Sequence, residues 1–175
     1  MNLKVRMNLK GLFLTTAIAA LAALPAAAQQ INVKAGVLND RSGLYADLSG
    51  EGSVIAARMA VEDFKAAEKG IKVDIVSADH QNKPDVGSTI ARQWYDQDGV
   101  DLILDVPTSS VALAVNQITR EKNKIFINSG AASSDLTGKA CSPSTAHWTY
   151  DTVALANGTG GAMVKAGGDS WVFLT

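Results

Sequence analysis

Beyond its first thirty positions the chain alternates short apolar runs with longer amphipathic ones. Ile31 to Leu38 is rich in β-branched residues and stops at the turn formers Asn39-Asp40-Arg41-Ser42-Gly43, which predicts a strand and a loop. From Leu48 to Lys69 the apolar positions Val54, Ile55, Met59, Val61 and Phe64 fall near helical spacing, and Gly70 stands where helices commonly end. Val73, Ile75 and Val76 predict a second strand, with Ser77 to Lys83 as a loop. Pro84 and Asp85 open a second helix through Trp94 and Tyr95, because proline fits the first helical turn.

Leu102, Ile103, Leu104 and Val106 predict a third strand bounded by Pro107, and Ser109 and Ser110 lead a helix to about Lys122. Ile125 to Ile127 predict a fourth strand, ending in the small, polar run from Asn128 to Ser134. The segment from Cys141 to Tyr150 reads as irregular or extended. A helix from Thr152 to Ala166 and a strand from Ser170 to Leu174 complete the pattern. Strands alternating with helices predict an α/β fold, a Rossmann-like, doubly wound parallel sheet with right-handed crossovers.

The first thirty positions have a different grammar. Lys4, Arg6 and Lys10 precede an uncharged apolar run from Gly11 to Leu24, then Pro25 and Ala26-Ala27-Ala28. This is the layout of a secretory signal peptide cleaved near Ala28, and the apolar run is shorter than the ~20 residues a membrane span needs. Met7-Asn8-Leu9-Lys10 repeats Met1-Asn2-Leu3-Lys4, so Met7 is a second candidate start. Residues 1–28 carry three positive charges and no negative ones, so the remaining 147 residues have a net charge of −4. A mildly acidic surface offers no electrostatic reason to expect nucleic acid or anionic membrane as a partner. No second run of spanning length is present, so no membrane insertion of the mature chain is expected. The lone Cys141 is either a buried thiol or half of a disulfide with a distant partner. The chain stops at Val172-Phe173-Leu174-Thr175, inside an expected buried strand, which predicts an incomplete and poorly stable piece.

In a doubly wound sheet, ligands bind beyond the carboxyl ends of the strands. Asp40 to Tyr45, Pro107 to Ser110 and Ser129 to Ser134 qualify by position. The last two are small and hydroxyl-rich, and a helix N-terminus offers unpaired N–H donors to a carboxylate. Ser109, Ser110 and Ser133 are candidate hydroxyl donors. Ser109 and Ser110 serve equally as helix caps that need no ligand. Tyr45 is a candidate aromatic wall at the cleft mouth, or a half-exposed packing residue.

Other features carry less. His80 and His147 have no partner at metal-ligand spacing, and Asp79-His80 reads as polar loop structure. Gly50-Glu51-Gly52 and Gly158-Thr159-Gly160-Gly161 lack the lysine and hydroxyl ending of a phosphate-binding loop, and no nucleophile elbow occurs. No cofactor, metal or catalytic group is therefore expected. Trp94 reads as core, and Asn157-Gly158-Thr159 matches a glycosylation triplet meaningful only in a eukaryotic secretory pathway.

Lys34 to Tyr45, with Asp105-Val106-Pro107-Thr108-Ser109-Ser110 and Asn128 to Thr137, resembles the first strand and two ligand loops of periplasmic receptors of the branched-chain amino acid type. The resemblance runs from about Ile31 to Thr175. It implies an incomplete type I periplasmic-binding-protein fold, a clamshell that traps a small carboxylate and passes it to the permease subunits of an ABC transporter. It implies that groups at Ser109 or Ser110 and at Ala131, Ala132 and Ser133 hold the carboxylate, with Tyr45 near the pocket. By the same resemblance, residues 29–149 form the first lobe and 150–175 begin the second. The loop at Ala131 to Asp135 lacks the proline common in amino acid receptors. Lys139 to Pro143 with His147 to Asp151 resembles a soil-bacterial branch whose implied cargo is an aromatic or other small carboxylate. A secreted α/β enzyme with catalytic residues past Thr175, or the sensor lobe of a signalling receptor, stand as second readings.

Overall fold

The β-branched run Ile31–Asn39 forms β1, and a computed structural model describes the chain from residue 30 to residue 172. The predicted leader, 1–28, and the end of the predicted last strand lie outside the described residues. After β1 come α1 (Gly50–Asp63), β2 (Ile71–Asp79), α2 (Pro84–Asp96), β3 (Leu102–Asp105), α3 (Ser109–Glu121), β4 (Ile125–Asn128) and β5 (Thr145–His147). All strand pairs are parallel, in the order β2-β1-β3-β4-β5. The predicted α/β architecture is present.

The winding direction reverses between β1 and β3. The chain first steps from β1 outward to β2, then crosses back over β1 to reach β3 and β4. Right-handed crossovers therefore leave α1 on one face and put α2 and α3 together on the other. On the two-helix face Leu38, Ile103 and Phe126 of the sheet meet Ala91, Trp94, Val111, Val115 and Ile118 of the helices. Gly36 is required there. A Cβ at that position would lie 2.3 Å from the Trp94 ring, so the helix packs on bare backbone. Tyr95 shares a hydrogen bond with Thr119 and donates to the Ile125 carbonyl at 3.0 Å; burial pushes its phenol up to about 12.

Several boundaries differ from those the sequence predicts. Ser77 to Asp79 continue β2, because they pair in register with Val37, Leu38 and Asn39 of β1 and so satisfy backbone groups a loop would leave to water. The helix expected to reach Lys69 stops at Asp63. Lys65 turns left-handed (φ 55°), and a 3-10 turn at Ala66–Lys69 follows before Gly70 (φ 72°) closes it. Val106 leaves the strand in a left-handed conformation. The predicted last helix is α4 (Thr152–Leu155) and α5 (Gly161–Lys165), joined by a π-helical turn at Ala156–Gly160, where Gly158 and Gly160 weaken regular helix. Ser170 to Val172 form no strand among the described residues. Cys141 is exposed, which overturns the buried-thiol alternative. Trp94, 7% exposed, is core as expected.

Candidate functional site

The carboxyl ends of β1, β3 and β4 lie side by side, and each ends on a buried polar residue: Asn39, Asp105 and Asn128. Asp105 pairs in register with Leu38 and Asn128. Asn39 Nδ2 donates to the Gly50 carbonyl at 2.6 Å and to Asp105 Oδ2 at 3.3 Å, tying the start of α1 to the end of β3. This is the switch point of the sheet, where a crevice forms because neighbouring loops turn to opposite faces.

The first loop is shaped by two aspartates. Buried Asp40 accepts from the N–H groups of Gly43 and Tyr45 at 2.8 and 2.9 Å, folding residues 40–45 into a tight turn. Asp79, at the end of β2, accepts from the Ser42 hydroxyl and from the Arg41 and Gln81 N–H groups. Burial pushes the Asp79 carboxyl up, but those three donors outweigh it and hold the group below its ordinary value. Tyr45 sits half-buried in the turn, its carbonyl accepting from Leu48 and Ser49 N–H. Its phenol does not line the cleft described below, whereas Leu48 and Ser49 do.

The second loop begins with Asp105 (φ 77°) and Val106 (φ 61°), two successive left-handed residues of which neither is glycine. A β-branched residue in this region is an outlier, held here by Val106 N–H donating to the Leu38 carbonyl at 3.0 Å. Thr108 is the N-cap residue of α3; its hydroxyl donates to Asn82 Oδ1 rather than capping the helix. Ser109 and Ser110 are the first two helical residues, so the capping reading is corrected to Thr108, whose extended backbone fits that position. Ser109 is half-buried and Ser110 exposed. Behind this loop His80 is fully buried rather than part of a polar loop; its Nδ1 accepts from Asn82 N–H at 3.0 Å. Burial lowers the imidazole below its ordinary value, against the pull of Asp40, Asp79 and Asp105.

The third loop packs on the second. A Cβ on Gly130 would stand 2.8 Å from Pro107 Cα, so only glycine allows this approach. Ser129 donates its hydroxyl to Asp105 Oδ1 at 3.2 Å. Ala131 is buried, and its carbonyl meets His147 Nε2 at 2.7 Å. The Ala132 carbonyl accepts from Thr152 N–H at 2.9 Å. Ser133 caps the 3-10 turn Ser134–Leu136 by accepting from Asp135 N–H at 3.3 Å. Between the loops lies a cavity of about 270 Å³, walled by Ser49, Ser53, Asp105, Ser129, Thr149 and Tyr150 among others.

The structure therefore brings the Pro107–Ser110 and Ser129–Ser133 loops into contact, with the Tyr45 turn joined to them through Asn39. The residues that wall the cavity are largely neighbours of those singled out in the sequence. Ser49, Ser53 and Thr149 lie outside every candidate ligand loop of the sequence, whereas Asp105 and Ser129 fall within such loops without being named as ligand groups. Their one legible signal is that each central strand ends on an amide or acid, Asn39, Asp105 or Asn128, instead of an apolar residue.

Comparison with known proteins agrees with this architecture. A family model described as a periplasmic binding protein matches residues 32–175. A periplasmic binding protein from Burkholderia mallei is 48% identical, with a TM-score of 0.76 over 80% of this chain and 37% of its own. A branched-chain amino acid ABC transporter periplasmic ligand-binding protein from Burkholderia xenovorans LB400 is 39% identical, with a TM-score of 0.72 over 77% of this chain and 36% of its own. An ABC-transporter solute-binding protein from R. palustris, solved in complex with benzoate, is 26% identical, with a TM-score of 0.72 over 78% and 38%. The chain thus spans 36–38% of the length of these relatives. No curated protein matches it. With a doubly wound sheet, a cleft at its switch point and a family match across nearly every described residue, the chain belongs to the periplasmic binding proteins of ABC transporters, branched-chain amino acid type, with the type I fold.

Proposed function

We propose that this chain supplies one lobe of a periplasmic receptor that binds a small carboxylate without turnover and delivers it to an ABC-transporter permease. The observation that carries this reading is that β1, β3 and β4 end side by side at a cavity, with the N-terminus of α3 following directly from β3. The first N–H groups of a helix have no partner within it, and they carry partial positive charge, so Ser109 and Ser110 offer backbone and hydroxyl donors to a carboxylate. Ala131, Ala132 and Ser133 lie on the neighbouring loop, the Ala131 carbonyl meeting His147 and the Ala132 and Ser133 carbonyls accepting from the Thr152 and Leu136 N–H groups. Such preorganisation lowers the ordering cost of binding. Residues 29–149 would then form the first lobe, and the chain would enter the second near Tyr150, which fits the exposure of the segment from Thr152 onward. A leader at 1–28 would direct export.

The benzoate found in the R. palustris relative and the amino acid description of the B. xenovorans one support a carboxylate and differ in the rest of the ligand. The test is calorimetric titration of the protein expressed from its complete gene with leucine, benzoate and 4-hydroxybenzoate. One of them binds at a single saturable site and is recovered unchanged, and Ser133→Ala weakens it about tenfold, the scale of one hydrogen bond to a charged group. Absence of binding by every carboxylate, or consumption of the bound one, overturns the reading.

A further inference from the structure

Among the described residues Asp105 is the one charged side chain on the wall of the cleft cavity, and it is only 5% exposed. A buried carboxylate is costly unless it is paired or well supplied with donors. Its two oxygens receive one hydrogen bond each, both from neutral groups and both long: Asn39 Nδ2 at 3.3 Å and Ser129 Oγ at 3.2 Å. An ionised carboxylate accepts about four. No cation forms a salt bridge with it among the described residues. Nearby His80 does not serve as one, because burial favours its neutral form.

The acceptor surplus extends to both flanks. Asn39 Oδ1 and Asn128 Oδ1 are buried without a donor among the described residues, and in each case the amide nitrogen is committed to a carbonyl or carboxylate oxygen, so turning the amide over gains nothing. The left-handed pair Asp105-Val106 separates two fates at the end of β3. Val106 stays in the core while Asp105 reaches the cavity wall. Backbone of this kind costs free energy and persists where surrounding contacts over-determine it. Here those contacts are Val106 N–H on Leu38 at 3.0 Å and Asn128 Nδ2 on the Val106 carbonyl at 3.4 Å.

We propose that Asp105 is a specificity-determining residue of the cleft: it receives a hydrogen-bond donor, an ammonium or a hydroxyl, that the ligand carries apart from its carboxylate. This rests on the receptor reading above and narrows it. The ligand class becomes amino or hydroxy acids, and a plain monocarboxylate leaves Asp105 unsatisfied. A ligand with a second carboxylate is repelled.

The test titrates the protein from its complete gene with two matched pairs, leucine against 4-methylpentanoate and 4-hydroxybenzoate against benzoate. In at least one pair the wild-type protein favours the donor-bearing member by about tenfold or more. Asp105→Asn removes most of that preference while the donor-free member changes less than about threefold. Equal affinity within both pairs in the wild type overturns the proposal without any variant. An equal loss for both members in Asp105→Asn, with its thermal transition intact, reduces Asp105 to a clamp between Asn39 and Ser129 and also overturns it. Failure of all four probes to bind sinks the receptor reading itself, which separates the two results.

Discussion

The two faces of the sheet are built from the same strands, whose side chains point alternately to either side. Toward α2 and α3 the strands present Leu38, Ile103 and Phe126, all fully buried. Toward α1 they present Val33, Ala35, Val73, Ile75, Leu102 and Leu104, which line an open apolar groove of about 270 Å³. Ile55, Met59 and Phe64 along and just past α1 stay half-exposed or more, and they do not share one helix face as the buried residues of α3 do. The difference lies in the number of covering helices. One helix about 10 Å wide cannot seal strands spaced nearly 5 Å apart across a five-stranded sheet. Apolar periodicity announces that a face will be buried, and topology decides whether anything is available to bury it.

The largest expected contrast is a pair of truncations. Phe126→Ala, at a fully buried site, costs about 3–5 kcal/mol in equilibrium urea unfolding, whereas Phe64→Ala, at a site 56% exposed, costs under about 1 kcal/mol. Equal costs in the protein from its complete gene would show that α1's face is sealed there, and would end the comparison. Gly36→Ala comes next. Its Cβ would overlap the Trp94 ring at 2.3 Å, so a loss of about 1–3 kcal/mol is expected, partly restored by Trp94→Leu. If Gly36→Ala is neutral, the two-helix face is looser than its packing implies.

The pH dependence of stability sharpens the comparison at the loop edge of the two-helix face. Burial holds His80 below 6.5 in the folded state, while the unfolded chain titrates near that value. The unfolded chain therefore takes up the proton first. The contribution is complete above about pH 6.5 and falls as pH drops from there through the folded value. His80→Gln flattens this slope between pH 7.5 and 5.5, measured by the urea midpoint, and an unchanged slope would detach His80 from folding. The smallest effect belongs to α1's face. Lys65 is exposed and left-handed, so Lys65→Gly stabilises by up to about 1 kcal/mol despite losing its exposed ion pair with Glu68.

The order of elements was legible because each rests on local information. β-branched runs specify β1 to β4, Pro84 starts α2, and Gly70 closes the turn before β2. The Pro107–Ser110 and Ser129–Ser134 loops were legible as neighbours, because strands of a doubly wound sheet place their carboxyl ends together. The side chains of the cleft were not. Asp105 and Ser129 look like ordinary strand-end residues until the parallel register of β3 and β4 sets them side by side and Gly130 lets the loops touch. Ser109 and Ser110 look like caps until Thr108 takes that position through its bond to Asn82, from a loop 26 residues earlier.

The sequence alone determined the order of β1 to β4 and α1 to α3 and which loops share an edge, since propensity, periodicity and turn chemistry act within a few residues. Tertiary structure alone decided the rest: that His80 is buried, that one sheet face lies open among the described residues, and that a carboxylate walls the cleft. Burial and donor count depend on what distant segments bring, and no local pattern encodes them.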